Sequence, residues 1–376
     1  MKYQQWNIAQ RSQEAYKAME RQGVPTLVAA TLCARGMTDL AEAKGLLSSG
    51  EDQLQDPFLM KDMDLATARI GRALRNGEKI AVYGDYDVDG ITSTCLLTDL
   101  PSAGRGGTGD SPISPDRMEE GYGLNREAVA ALRGQGVGLI VTVDCGITAV
   151  EEAACAASLG VELVITDHHE CKAALPAAAA VVDPRRAGCP YPFKCLAGVG
   201  VALKLVLALG GPARRDELLE RYADLAAIGT VADVMSLTGE NRTIVRLGLE
   251  ALRRTGRPGL RALLHEAGLD ERPLTATAIG YTLAPASMPP GGWGAPPWLG
   301  NCFSRTIRPG GRNSPGPCAT STGSGRPLRR RSIPSARPWP RPGRRGTPWC
   351  WPGSNGTRGW WASWPPVWRR STPARR

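Results

Sequence analysis

Four short apolar runs, each closed by an acidic or glycine-rich turn, constrain this chain more than any other feature: KIAVYG (79–84), GLIVTV (138–143), ELVITD (162–167) and AVVD (180–183). Helix-patterned segments such as NREAVAALRGQG lie between them. Strands buried on both faces read as continuous apolar runs, and their alternation with helices implies a mostly parallel sheet covered on both sides. The expected class is therefore α/β, a mostly parallel sheet flanked by helices. In such sheets ligands gather beyond the carboxyl ends of the strands, where successive loops present side chains to one another.

The chemistry-bearing residues fall at those ends. Asp85, Asp87 and Asp89 lie in GDYDVDG after the first run, Asp144 in DCG after the second, and Asp167, His168 and His169 in DHHE after the third. A helix-like stretch, YADLAAIGTVADVMSL, then carries Asp233. Gathering these carboxylates with two imidazoles is unfavourable unless cations neutralise them, so the pattern points to a metal centre. Asp and His donors without thiolate suit Mn²⁺ or Mg²⁺ better than structural zinc. Two such ions can clamp the attacking and leaving oxygens of a phosphoester displacement, and one can lower the pKa of a water nucleophile. Each motif also has a plainer reading. The Asp-x-Asp-x-Asp-Gly string resembles a calcium loop, but an EF-hand wants a glutamate further on and ITSTCLL supplies none. Taken singly, Asp144 or Asp233 also reads as a helix cap, and His168 with His169 as one ligand beside a hydrogen-bonded neighbour.

Composition qualifies the rest. The chain holds 46 Lys and Arg against 36 Asp and Glu, but residues 286–376 contain no Asp, Glu or Lys and carry 16 Arg, 17 of the 30 Pro and 9 of the 10 Trp. The preceding 285 residues hold 30 basic against 36 acidic side chains, so the high pI belongs to the tail and is no evidence that the body binds nucleic acid. No apolar run is long enough to span a bilayer, and the start MKYQQWNIAQRSQEA lacks the apolar core of a signal peptide, so a cytoplasmic protein with no membrane partner is expected. Seven body cysteines without a CxxC pair fit reduced thiols. Residues 13–49 read as short amphipathic helices, punctuated by Pro25 and Gly36, with Thr38-Asp39 as a start signal; they form a small helical N-terminal cap.

Together the motifs DPFLMKDMD, VYGDYDVDGITST, PDRMEEGYGLN, VDCGI, TDHHE, VVDPRR, LAGVGVALKL, AAIGTVADVMSLTGENR and AIGYTLAP resemble the DHH phosphoesterase superfamily and, within it, the RecJ family of bacterial exonucleases, over about residues 14–285. The resemblance implies hydrolysis of single-stranded DNA from its 5′ end in recombination and repair. It implies two Mn²⁺ or Mg²⁺ ions, and partnership with single-stranded DNA, a single-strand-binding protein and a helicase. Carried over position by position, it makes Asp85, Asp87, Asp144, His168, His169 and Asp233 the metal ligands, with Asp144 bridging the ions. Asp144, His168 and His169 become the catalytic residues, with His169 in reach of the scissile phosphate, while Asp89 and Asp167 support them from behind. It assigns no substrate-binding residue. The alternative readings are a DHH phosphoesterase acting on short oligonucleotides or cyclic dinucleotides, and an inactive fragment of a broken gene.

The chain departs from that family after AIGYTLAP. The family continues with an arginine-containing segment, a linking helix and a second domain that holds the DNA strand, whereas this chain reads ASMPPGGWGAPPWLGNCFSRTIRPGG without period 2 or 3.6. Codons chosen for Ala286–Gly294 and regrouped one nucleotide earlier encode R-I-N-A-A-G-R-M-G, the continuation the family has. The tail is thus expected to be out of frame, non-native and disordered; the competing reading is a basic, Trp-bearing segment for single strands. A similar lesion is expected within Leu100–Ser114, a glycine-rich stretch where the family has a strand; the plainer reading is a natural loop. The expected division is 1–60 helical region, 61–240 phosphoesterase domain, 241–285 helical continuation and start of a linker, and 286–376 tail.

Overall fold

A computed structural model describes residues 9–48, 53–99, 123–287 and 303. The expectations placed on Leu100–Ser114 and on the tail beyond Ser287 lie outside these residues, apart from Phe303.

Helices α1 (Gln13–Arg21), α2 (Thr26–Ala34) and α3 (Leu40–Ser48) share a core of their own around Met19, Ala29, Leu32, Cys33 and Ala43. Their starts are written locally. The Ser12 hydroxyl accepts from the Ala15 N–H, and Asp39 accepts from the Glu42 N–H at 2.7 Å, satisfying donors that a helix leaves unpaired in its first turn.

Helix α4 (Met63–Asn76) leads into β1 (Ile80–Gly84), followed by α5 (Val88–Thr98), α6 (Arg126–Gly134), β2 (Leu139–Val143), α7 (Val150–Ser158), β3 (Glu162–Thr166) and β4 (Ala180–Val182). The four strands form one sheet in the order β1-β2-β3-β4, every pair parallel, as the apolar runs led one to expect. Side chains alternate between its faces. Val82, Val141, Val143, Val164 and Val182 enter one core with α4, α5, α8 (Gly198–Gly210), α9 (Arg215–Ala232) and α10 (Gly239–Arg253). Ala81, Tyr83, Ile140, Leu163, Ile165 and Val181 enter a second core with α6 and α7. Each large aliphatic side chain buried this way stabilises the fold by about 1.5–3 kcal/mol before entropy is counted. Further along, α11 (Pro258–Glu266) and the short helical pieces Ala276–Ala278, Ile279–Leu283 and Ala284–Ser287 add Leu260, Ile279 and Leu283 to the first core.

Helix α8 runs through the middle, with every residue from Gly198 to Leu207 buried. Its one charge, Lys204, pairs with the equally buried Glu240 of α10. Glu240 also accepts from the Tyr191 hydroxyl at 2.6 Å and the Gln55 N–H at 3.0 Å, and Lys204 donates to the Gln55 carbonyl at 2.7 Å. The cluster ties α8, α10 and the stretch before α4 together with all its strong groups paired. Among the described residues no helix is long and apolar enough to cross a membrane, and the seven body cysteines are unpaired.

The register positions the site. Gly84 stands opposite Val143, Val143 opposite Thr166, and Thr166 opposite Val182. The residue following each of these strand ends is an aspartate: Asp85, Asp144, Asp167 and Asp183, in one row along the carboxyl edge of the sheet.

Candidate metal centre

Two further carboxylates join that row from the turn after β1. Asp87 caps α5, its carboxylate accepting from the Gly90 N–H at 2.9 Å. Asp89, one residue into the helix, is buried and reaches across to α8, where its two oxygens accept from the Gly198 and Val199 N–H groups at 2.7 and 2.8 Å. A carboxylate at a helix N-terminus meets unpaired donors and the positive end of the dipole, so Asp89 ties α5 to α8. Two glycines permit this proximity. A Cβ on Gly198 would lie 2.5 Å from Asp144 Oδ1, and one on Gly229 of α9 would lie 2.4 Å from Thr92 Oγ1 and 2.7 Å from Asp89 Oδ1.

Asp144 leaves β2 with φ at +59°, a left-handed conformation that aspartate tolerates better than most side chains. Its buried Oδ1 lies 3.1 Å from His168 Nε2 without the geometry of a hydrogen bond. Asp233, at the end of α9, brings Oδ2 to 3.7 Å from the same nitrogen, and Asp89 Oδ2 stands 4.0 Å away. Asp144 Oδ1, His168 Nε2 and Asp233 Oδ2 are all buried without a hydrogen-bond partner. Buried polar atoms are normally paired, so three acceptors converging unpaired from β2, β3 and α9 fit cation ligands rather than a protein network.

Asp167 and His169 are arranged differently. Asp167 Oδ1 accepts from the His168 and His169 backbone N–H groups at 2.7 and 3.1 Å and lies 2.7 Å from His169 Nδ1, while Oδ2 accepts from the Ile147 N–H at 2.9 Å. The carboxylate is saturated by protein donors, and His169 is left partly exposed with its Nε2 directed away from this bond.

Three sets of side chains bring ligand atoms within 4.8 Å of one another: Asp85 with Asp87 and Asp144, Asp144 with His168 and His169, and Asp89 with His168 and Asp233. All six expected ligands are therefore in one cluster, with Asp144 common to two sets and His168 to two. Charge crowding shows in the ionisation of the groups. Burial, reinforced by the Asp87 charge, pushes Asp85 and Asp233 up to about 7. Burial also holds Asp144 and Asp89 well above the usual carboxylate range. Burial lowers His168 to about 4, so it is a neutral ring with a free lone pair, whereas the Asp167 bond raises His169 to about 9. For Asp167 burial works upward, but the bonds from His169 and Ile147 outweigh it and keep the carboxyl ionised.

Sequence reasoning passed over Asp183, although AVVD ends like the other three strands. Its carboxyl is buried, accepts from the Arg185 N–H at 2.6 Å, and is pushed by burial up to about 7. A cavity of about 590 Å³ lined by Leu252, Arg253, Arg261, Leu264, Arg272 and Leu274 shares no residue with the cluster.

Residues 79–230 match the family model described as DHH family, N-terminal domain. The single-stranded-DNA-specific exonuclease RecJ of Bacillus subtilis (strain 168) is 44% identical over 281 residues, covering 74% of this chain and 35% of that protein. Among solved structures, RecJ from Thermus thermophilus in complex with Mn²⁺ is 32% identical with a TM-score of 0.57, over 73% of this chain and 38% of that one. A second, exonuclease RecJ bound to manganese, is 36% identical with a TM-score of 0.54, over 62% of this chain and 57% of that one. The chain thus spans about a third of the Bacillus protein and between 38% and 57% of the two solved chains.

Proposed function

We propose, from the match of residues 79–230 to the DHH family model, that the chain is a divalent-metal-dependent phosphodiesterase that shortens single-stranded DNA from its 5′ end. The observation that carries this reading is the convergence of Asp144 Oδ1, His168 Nε2 and Asp233 Oδ2, buried and unpaired, beside the Asp85–Asp87–Asp144 set. RecJ relatives named as exonucleases, two of them solved with Mn²⁺, support it.

In this reading Asp85, Asp87, Asp144, His168, His169 and Asp233 would hold two Mn²⁺ or Mg²⁺ ions, and Asp144, common to two of the ligand sets, would serve both. Bound there, the ions supply positive charge against the crowded carboxylates and Lewis acidity toward a phosphodiester. Asp89 fixes the spacing of α5 and α8 and so of the ligands they adjoin. Asp167 holds the His169 proton at Nδ1. With no ion bound the ring favours its protonated form, titrating near 9; for His169 to hold an ion, Nε2 would give up its proton and present its lone pair while Asp167 keeps the proton at Nδ1. Work in recombination and repair in the cytoplasm, beside a single-strand-binding protein and a helicase, belongs to the same proposal.

The domain division 1–60, 61–240, 241–285 and 286–376, with the last segment out of frame, is also proposed. Resequencing the coding DNA across codons 98–116 and 283–300 tests it, and an unaltered frame through both stretches in a fresh isolate contradicts it. For the activity, a 3′-labelled single strand incubated with Mn²⁺ is expected to shorten stepwise while the matching duplex does not. Equal digestion of both, or cleavage confined to dinucleotides, contradicts a single-strand exonuclease.

A further inference from the structure

Arg185 and Arg186 leave β4 side by side and have different fates. Arg186 is neutralised: its Nη1 pairs with Asp62 and donates to the Val181 carbonyl at 2.9 Å. Arg185 is exposed, and among the described residues its side chain has one hydrogen bond, from Nε to the Lys194 carbonyl at 3.4 Å, and no carboxylate within ion-pair distance. Its backbone is fixed by the buried Asp183, whose Oδ1 accepts the Arg185 N–H at 2.6 Å. A free guanidinium beside many carboxylates wants an explanation, since the unconstrained side chain would be drawn onto one of them.

The register places it. Thr166 pairs with Val182, and the Asp167 N–H donates to the Val182 carbonyl at 3.1 Å, so the two chains leave the sheet in step. Three residues past that pair stand His169 on one exit and Arg185 on the other.

We propose that Arg185 is a substrate-binding residue whose free guanidinium nitrogens grip non-bridging oxygens of the phosphodiester, on the side of the metal cluster opened by β4. Nε is anchored on Lys194, Nη1 and Nη2 remain for an anion, and the fork geometry of arginine suits phosphate. This rests on the proposed phosphodiesterase reading and names a contact that reading leaves open. Arg185 does not hold the metal and is not needed for the cluster to form.

The test is binding of a phosphorothioate hexathymidylate to the full chain in Mn²⁺, by calorimetry at several salt concentrations, with Arg185→Ala and Arg185→Lys. Arg185→Ala is expected to weaken binding about tenfold, the loss of one charged hydrogen-bonding group, and to flatten the slope of log affinity against log salt by about 0.7. Arg185→Lys should restore the slope but only part of the affinity, and the Mn²⁺-induced rise in Tm should be the same in all three proteins. Unchanged affinity and slope in Arg185→Ala overturn the inference while leaving the activity standing. A lost Mn²⁺ response in Arg185→Ala also overturns it, because the residue would then organise the metal site. A parent chain that does not bind the oligonucleotide overturns both this inference and the reading beneath it.

Discussion

Asp167 holds the His169 ring in one orientation: its Oδ1 lies 2.7 Å from His169 Nδ1, and the same carboxylate takes three backbone N–H groups, from Ile147, His168 and His169. Four donors on a buried carboxylate keep it ionised and immobile, so the ring beside it is both charged and aimed. His168, next in sequence, is its opposite, a neutral ring facing the carboxylates.

Asp167→Asn removes the negative charge while keeping an oxygen for the backbone donors. The His169 titration, followed by NMR, is expected to move from about 9 down to 6.5 or below, since the Asp167 bond is the largest cause of the rise. A midpoint that stays near 9 would show that other charges sustain it.

Metal response should grow with pH. Asp85 and Asp233 ionise near 7 in the folded chain against 3.8 ordinarily, so without metal the folded state binds more protons between about 4 and 7 and loses stability as pH rises through that window. His168, lowered to about 4, acts the other way only up to about 6.5. Ligation needs the carboxylates deprotonated, so Mn²⁺ affinity should fall about tenfold or more per pH unit below 7. The rise in Tm caused by Mn²⁺ is therefore expected to be small at pH 5.5 and large at pH 8; equal rises at both would sink this account.

The approach of α9 to α5 leaves no room at Gly229. Gly229→Ala should cost about 1–3 kcal/mol by chemical denaturation, as overpacking outweighs the gain in helix propensity. Gly134 is the control: it ends helix α6, and a Cβ there meets nothing within 4 Å. Gly134→Ala should stabilise by about 0.5–1 kcal/mol. Similar effects of the two would contradict the packing argument.

Glu240→Ala leaves Lys204 buried with its charge unopposed and strips Tyr191 and Gln55 of an acceptor. The expected loss is about 3–5 kcal/mol, read from urea unfolding. Because neither residue belongs to a ligand set, Mn²⁺ should still raise the Tm of whatever folded protein remains. A loss below about 1 kcal/mol, the worth of an exposed pair, would mean the pair is not buried as described.

The parallel sheet and its helical cover were legible because four apolar runs ended in turns between helical patterns, and the structure has those four strands in that class of sheet. That Asp85, Asp144, His168 and His169 meet follows from strand ends sharing an edge, a consequence of topology alone. Asp183 shares the edge, but AVVD reads only as a strand with its acidic turn, which gives its carboxylate no role. Lys204 with Glu240, and Asp89 with Gly198, are contacts between residues far apart in sequence, and no local pattern announces them. Arg185 and Arg186 look alike in VVDPRR; only the fold shows that one meets Asp62 and the other does not.

The central claim is that Asp144 joins two divalent ions. Mn²⁺ titration at pH 8 followed by electron paramagnetic resonance tests it directly, with Asp144→Asn as the partner sample because asparagine also tolerates the left-handed backbone there. Two ions per chain with a spin-coupled signal are expected in the parent, and loss of the coupled signal in a folded Asp144→Asn. No Mn²⁺ bound to folded parent, or an identical coupled signal in the variant, would contradict it.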